Sequence, residues 1–384
     1  MNGVDSSMPG PLSRRAILSD DLTGACDAGV HCARLGRSVA CWDSDSFGEQ
    51  QADWLIASSL SRVMQPQDAA AAVASMATAI GQAGFEISYK KVDSTLRGPL
   101  AEELESLLDC LPATSALVAT AYPAMGRSVL DGRLFLHGEP VGDATLEERF
   151  QGGRSRVIPL GLHDIRSNQL AEKLTSLASE RAIIVADAQT DDDLARLATA
   201  IVACQEQLLP VGSAGLIQQL VHCWQPEHRG AAADNPLPTM RQVICVIGSQ
   251  NVVTREQCQQ LVNQRQAVAM ELSQISATRP GEAVIVLTMN WEDDPTRGLD
   301  QLRGWIASQQ SVGLVLSGGD TALQVCNFLG GHGILLESEL TDGVPRGLLL
   351  SAGLSPTTVV TKAGGFGDAS SLVTIVDTLL GNQL

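Results

Sequence analysis

Two glycine turns near the C-terminal end of the chain carry the clearest chemistry. Leu314-Val315-Leu316 runs into Ser317-Gly318-Gly319-Asp320-Thr321, and a helical pattern begins at Ala322. Val359-Val360-Thr361-Lys362 runs into Ala363-Gly364-Gly365-Phe366-Gly367-Asp368. Glycine lets a backbone approach a ligand closely, and the free N–H groups and positive dipole end of a helix favour an anion. Either turn alone is compatible with an ordinary tight turn at a sheet edge. The pair, with Lys362 beside it, suggests a polyphosphate cradle.

A second set of reactive groups lies in the first hundred residues. Ala16-Ile17-Leu18 ends at Ser19-Asp20-Asp21, and a stretch of small residues follows. Two carboxylates at a strand's C-terminal end sit where open α/β sheets bind ligands. One of them is expected to cap the next helix and the other to be functional. Trp54 to Ala57 reads as a strand that leads to Arg62. Phe85 to Val92 reads as another, delivering Lys90-Lys91-Val92-Asp93-Ser94-Thr95-Leu96-Arg97-Gly98. Arginine forks and lysines beside a carboxylate suit an acidic or polyhydroxy ligand. The chain has 26 basic residues, yet its only lysines are Lys90, Lys91, Lys173 and Lys362. Three of the four flank these motifs, which suggests a use for a compact, mobile ammonium.

The elements that must position these groups alternate in type. Strands are expected at 39–42, 116–121, 156–160, 182–186, 243–247, 268–272 and 283–288. Helices are expected at 22–30 with Gly36 as C-cap, then at 67–83, 99–111, 167–178, 190–204, 254–265, 299–308 and 370–380. Asp131 to Val141 reads as a hairpin, and Pro210 to Leu216 as the opening of a helix that runs to Trp224. Apolar strands alternating with helices predict an α/β protein with mainly parallel sheets. At 384 residues two domains are expected. The stretch 225–239 has prolines, a triple alanine and no periodicity, and so reads as a linker. The division expected is 14–226, a linker at 227–239, and 240–384, with the ligand cleft between the two domains.

Composition excludes several function classes. The net charge of -17 argues against nucleic acid or an anionic membrane as partner. No apolar run is long enough to span a bilayer, and the polar first residues lack the core of a signal peptide. Nine scattered cysteines without a C-x-x-C pair read as the reduced thiols of a cytoplasmic protein. There is no Gly-Lys dipeptide, no G-x-G-x-x-G after the first strand, no H-E-x-x-H and no G-x-S-x-G. A metal, where used, is expected to be Mg²⁺ held by phosphate and one or two carboxylates.

Taken together, Asp20 to Ala25, Lys90 to Gly98, Gly212 to Leu216, Ser317 to Thr321 and Lys362 to Gly367 resemble the motifs of the four-carbon acid sugar kinases, in the same order. The resemblance implies an N-terminal sugar-acid domain and a C-terminal nucleotide domain. It implies ATP- and Mg²⁺-dependent phosphorylation of a tetronate such as threonate, erythronate or an oxo form. By position it assigns Asp20 or Asp21, Arg62, Lys91, Asp93, Ser94 and Arg97 to the substrate. Asp21, then Asp93, is the expected catalytic carboxylate. Ser249, Gly318, Gly319, Asp320, Thr321, Lys362, Gly364, Gly365 and Gly367 are assigned to ATP. Two departures stand out: Ala363 occupies a position where the family usually has serine, and the chain is short between Ser249 and Ser317. A non-catalytic sensor of sugar acid and nucleotide is the rival reading, with another sugar-acid enzyme behind it. A homo-oligomer is compatible with either.

Overall fold

The computed structural model describes residues 14–113, 115–204, 207–224, 239–275, 282–290, 294–309 and 311–382. In the first half, strands β1 (Arg15–Ser19), β2 (Ser38–Cys41), β3 (Trp54–Ser58), β4 (Glu86–Lys91) and β5 (Ser115–Ala119) alternate with helices. Next come a small antiparallel sheet of β6 (Arg127–Leu130), β7 (Arg133–Leu136) and β8 (Glu139–Pro140), then β9 (Arg156–Leu160), β10 (Ala182–Ala186) and β11 (Leu208–Gly212). The second half contributes β12 (Gln242–Ile247), β13 (Val268–Glu271), β14 (Val284–Thr288), β15 (Val312–Ser317), β16 (Gly331–Thr341), β17 (Val344–Ser351) and β18 (Thr357–Lys362). The main strands are almost wholly apolar and buried, as parallel strands covered on both faces must be.

Both halves are α/β with parallel strands, and they share one sheet. Its 15 strands run in the order β13-β14-β12-β15-β18-β17-β16-β2-β3-β1-β4-β11-β5-β10-β9. The joint is β16, which pairs antiparallel with β2 on one side and with β17 on the other, and β17 pairs antiparallel with β18. Three reversals in succession make the parallel strands of the two halves run in opposite senses. The helix Leu22–Cys32 packs against β16, β17, β18 and the helix Gly319–Phe328. A first-half helix is therefore seated on second-half elements, directly behind Asp20 and Asp21. The linker read at 227–239 lies, apart from Thr239, outside the described residues.

Several local expectations are corrected. Gly36 is not a C-cap: the helix ends at Cys32, with Ala33 in right-handed conformation as its cap. Gly36 is small because Asp53 crowds it; a Cβ there would sit 2.6 Å from Asp53 Oδ2, which accepts from Arg37 N–H. Pro210 to Gly212 belong to β11, between β4 and β5, and the helix begins only at Ala214. Proline is tolerated in this strand because β4 pairs with β11 only from Val211 onward, so the ladder with β4 begins one residue past the ring. The Asp131–Val141 hairpin has an additional strand before it, β6, turned by Asp131-Gly132. The long hairpin β16–β17 was not anticipated at all.

Candidate active site

Both motif groups sit at the C-terminal ends of parallel strands. β1 delivers Asp20 and Asp21, β3 leads to Arg62, and β4 delivers Lys91 to Arg97. β12 leads to Ser249, β15 to Gly318 and Gly319, and β18 to Lys362 and Gly364. This is where α/β sheets place their ligands.

On the first-half side Arg62 is the hub. Its Nε and Nη2 donate to Asp20 Oδ2 and Oδ1, each at 2.9 Å, and its Nη1 and Nη2 donate to Asp21 Oδ2 and Oδ1, each at 2.7 Å. Asp93 Oδ1 lies 3.7 Å from Nη1. Asp21 also caps the following helix by accepting from Gly24 N–H at 2.8 Å, and it accepts from the Thr23 hydroxyl at 2.7 Å. The capping carboxylate is therefore Asp21, the one the resemblance also assigns to the reaction, so the expected split between a capping and a functional aspartate does not separate the two; its four lone-pair sites are all used. Burial alone would push Asp20 up, but the charge and hydrogen bonds of Arg62, with Lys90 and Lys91, outweigh it and hold the carboxyl below its usual range. Asp93 behaves likewise. Burial opposes its ionisation, yet the hydrogen bond from Arg97, the charges of Arg62 and Arg97 and the Thr95 hydroxyl bring its pKa far down.

The two lysines that the sequence places side by side do different jobs. Strand alternation sends them to opposite faces. Lys90 Nζ pairs with Glu103 Oε2 at 2.6 Å, both side chains being about 1% exposed. Lys91 points to the Asp20–Asp21 end: its Nζ donates to Val92 O, and a Cβ on Gly24 would sit 2.9 Å from it. Ser94 is buried beside Asp93. Leu60 and Leu96, in the loops carrying Arg62 and Asp93, have φ of 55° and 61°. A left-handed leucine costs roughly 1–2 kcal/mol, and strain of this kind gathers where a loop must present a side chain.

On the second-half side the two glycine turns are fastened together. Gly318 N–H donates to Lys362 O at 2.9 Å, and Gly318 has φ 109°, which disfavours any side chain. Thr254 Oγ1 donates to Gly364 O at 2.7 Å. A Cβ on Gly364 would lie 2.1 Å from Ser249 Oγ, so only glycine fits against that serine. Gln257 Nε2 donates to Phe366 O and Asp368 O and so fixes the far end of the second turn. Lys362 is buried, its Nζ donates to Ala363 O at 2.9 Å, and burial lowers its pKa to about 8, with Cys258 pulling weakly the other way. Ser317 Oγ and Thr321 Oγ1 are buried without a hydrogen-bond partner around these turns. Asp320 is exposed, Gly365 lies beside Asn251, and Gly367 packs on Ser371. These orphaned hydroxyls and the Asp320 carboxylate suit a hydrated Mg²⁺ arriving with phosphates.

The two sides meet. A Cβ on Gly319 would lie 3.0 Å from Asp21 Oδ2 and 3.4 Å from Thr23 Oγ1. The Arg127 guanidinium lies 5.0 Å from the centre of the Phe366 ring, joining β6 to the second glycine turn. Arg127 was missed from the sequence, where Tyr122 to Arg127 read only as the end of a strand. It is buried, its Nε has no hydrogen-bond partner, and it forms no ion pair among the described residues. Burial lowers its pKa, with Asp27 and Asp93 pulling it back up. Thr254 and Gln257 were also missed, because polar residues in a helix's first turns give no distinguishing signal.

Comparison with known proteins finds two family domains and several full-length relatives. Residues 15–220 match a sugar-binding N-terminal domain, and residues 295–372 match a nucleotide-binding C-terminal domain. A D-threonate kinase of Bordetella bronchiseptica is 31% identical, over 93% of this chain and 95% of its own length. A D-erythronate kinase of Heliobacterium modesticaldum is 24% identical, over 96% and 98%. A 3-oxo-tetronate kinase of Methylobacterium radiotolerans is 26% identical, over 92% and 96%. In fold the chain is similar to a solved structure from Salmonella typhimurium LT2, with TM-score 0.75 and 18% identity over 94% of this chain and 97% of that one.

Proposed function

This chain belongs to the four-carbon acid sugar kinase family, and on that premise we propose that it transfers the terminal phosphoryl group of ATP to the terminal hydroxyl of a tetronate, D-threonate first. The observation that carries the reading is the approach of the Gly319 turn to the Asp21 carboxylate across the joint of the two halves. A kinase needs an anion cradle and a hydroxyl-orienting carboxylate face to face. The choice of D-threonate is supported by the Bordetella bronchiseptica relative of that name, which is 31% identical against 24% and 26% for the erythronate and oxo-tetronate kinases named above.

In this reading ATP phosphates lie over Gly318–Thr321 and Gly364–Gly367, with Ser249 and Lys362 beneath. The first-turn N–H groups of the helix Gly319–Phe328 and the Lys362 ammonium take up negative charge. Mg²⁺, carried by the phosphates, would be held near Asp320 and Thr321 and would neutralise charge on the transferring group. The tetronate lies on the Asp20, Asp93 and Ser94 side. Arg62 and Arg97 are already paired with aspartates, so Lys91 and Arg127 are the cations better placed to take the substrate carboxylate. Asp21 orients the acceptor hydroxyl. Since its acceptor sites are filled, Arg62 must yield one of them when substrate arrives. Catalysis is then mainly positioning and charge neutralisation.

The test is ADP release from Mg-ATP against D- and L-threonate, D- and L-erythronate and their oxo forms, with glycerate and gluconate as controls. Release with D-threonate, and a phosphorylated product by mass spectrometry, is expected. ATP binding by calorimetry with silence across the whole panel would overturn the kinase reading in favour of a sensor.

A further inference from the structure

Behind the reactive edge lies a cluster that the kinase reading leaves unused. Asp27 and His31 are four residues apart on the helix Leu22–Cys32 and so share one face. Glu339 reaches them from β16, in the hairpin that joins the two halves. One candidate ligand atom from each of the three lies within 4.8 Å of the other two. Asp27 is 6% and His31 2% exposed, and the Glu339 side chain is 14% exposed.

The hydrogen bonding of this cluster is incomplete. Asp27 Oδ1 and His31 Nε2 are buried without a partner. His31 Nδ1 stands 4.0 Å from Glu339 Oε2, too far for a hydrogen bond. Glu339 Oε1 accepts from Gly343 N–H at 2.7 Å, which fixes the carboxylate. Lys91 and Arg127 act on Asp27 only through space, and Arg34 acts on His31 and Glu339 in the same way. Burial disfavours charge on two carboxylates this close together, so the pair calls for a proton or a cation between them.

We propose that Asp27, His31 and Glu339 bind a divalent transition-metal ion that pins the helix of the first half to the hairpin of the second. Two carboxylate oxygens and an imidazole nitrogen suit Zn²⁺, Mn²⁺ or Co²⁺ better than Mg²⁺, which prefers oxygen ligands and keeps its water. Ligands at ~2.0–2.2 Å from a metal stand roughly 3–4 Å apart. The cluster needs only small side-chain adjustments to reach that geometry. The Gly343 N–H bond to Glu339 supplies the outer support typical of metal carboxylates. Three protein ligands leave a position for water.

The experiment uses the full chain, stripped of metal and free of nucleotide, so that Mg-ATP plays no part. Co²⁺ is followed by its visible d–d absorption and Zn²⁺ by calorimetry. One equivalent is expected to bind and to raise the melting temperature. His31→Gln and Glu339→Gln are each expected to weaken binding at least tenfold and to remove the thermal gain. Glu339→Asp keeps the charge but retracts it by one methylene, and is expected to weaken binding even if the other variants fail to fold. Binding of equal tightness in these variants, meaning an adventitious ion on other histidines, overturns the proposal. So does the absence of stoichiometric binding by the wild type.

Discussion

Gly319→Ala separates the fold from the reaction. Gly319 opens the helix Gly319–Phe328, and its φ is not in the left-handed region, so alanine suits the backbone. Helix propensity favours alanine by at most about 1 kcal/mol. Against this stands a methyl 3.0 Å from Asp21 Oδ2 and 3.4 Å from Thr23 Oγ1. Asp21 cannot retreat freely, because Oδ2 is held at 2.7 Å by both Thr23 and Arg62. The neighbour must give by a few tenths of an ångström, so overall stability should stay within about 1 kcal/mol of wild type. The reaction has no such latitude. The methyl stands between the hydroxyl-orienting carboxylate and the phosphate turn, and a misplacement of about 1 Å can cost about 100-fold in rate, or about 2.7 kcal/mol. The assay is ADP release at saturating ATP and tetronate, beside a thermal melt. A folded Gly319→Ala enzyme with wild-type kcat would refute the placement of the reacting groups at this contact.

Further outcomes follow from the same geometry. Asp21→Asn should keep ATP affinity by calorimetry while kcat falls by about 10²–10⁴-fold, and wild-type turnover would remove Asp21 from the reaction. Arg127→Gln should raise KM for the tetronate by about 10- to 100-fold, the worth of a charge-assisted hydrogen bond, with KM for ATP unchanged. Lys362 has a pKa of about 8 in the free protein. Phosphate favours its charged form, so ATP binding takes up a proton and weakens as pH rises through about 8. Calorimetry in buffers of different ionisation enthalpy reads this, and Lys362→Gln should abolish it. Glu103→Ala leaves Lys90 buried and unpaired, and should cost about 3–5 kcal/mol by denaturant melt. The double change Lys90→Met with Glu103→Leu should recover most of that loss.

How far the sequence reveals this molecule depends on whether a feature is local. The glycine turns and the acid pair are local: a strand, a small residue and a polar group within a few positions. Strand ends around Asp21, Lys91 and Ser317 accordingly match the sequence expectation closely, although the helix after Ser317 begins at Gly319 and not at the expected Ala322. The pairing of Lys90 with Glu103 is partly legible, since alternation already sends Lys90 and Lys91 to opposite faces. What remained hidden is set by partners distant in sequence. β11 carries a proline and still lies between β4 and β5, because its ladder with β4 starts beyond the ring. The β16–β17 hairpin mixes exposed, half-buried and buried positions, so it lacks both the alternation of an edge strand and the continuous apolar run of a central one. Yet that hairpin joins the two halves into one sheet.

The same division applies to the site and to which of its charges stand free for a ligand. From sequence, every arginine near a strand end is an equal candidate for an anionic ligand. In the fold, Arg62 is bound to Asp20 and Asp21, and Arg97 to Asp93, so two of the candidates hold the acids in place. Arg127 carried no signal beyond its type, and it is the buried guanidinium left without an ion pair among the described residues. Whether a charge is available to a ligand is a property of its neighbours: Asp93 lies four residues from Arg97, but Asp20 and Asp21 lie 42 and 41 residues from Arg62. An arginine already satisfied by carboxylates gains little from one more anion, whereas a buried unpaired one gains the whole of its missing partner. The test of substrate affinity at Arg127 against Arg62 is therefore a test of that rule. Arg62→Lys should act mainly on stability and kcat, through loss of the fork that orders Asp20 and Asp21. Arg127→Gln should act mainly on KM for the sugar acid. An inverted pattern would show that substrate draws Arg62 away from its aspartates and takes the fork for itself.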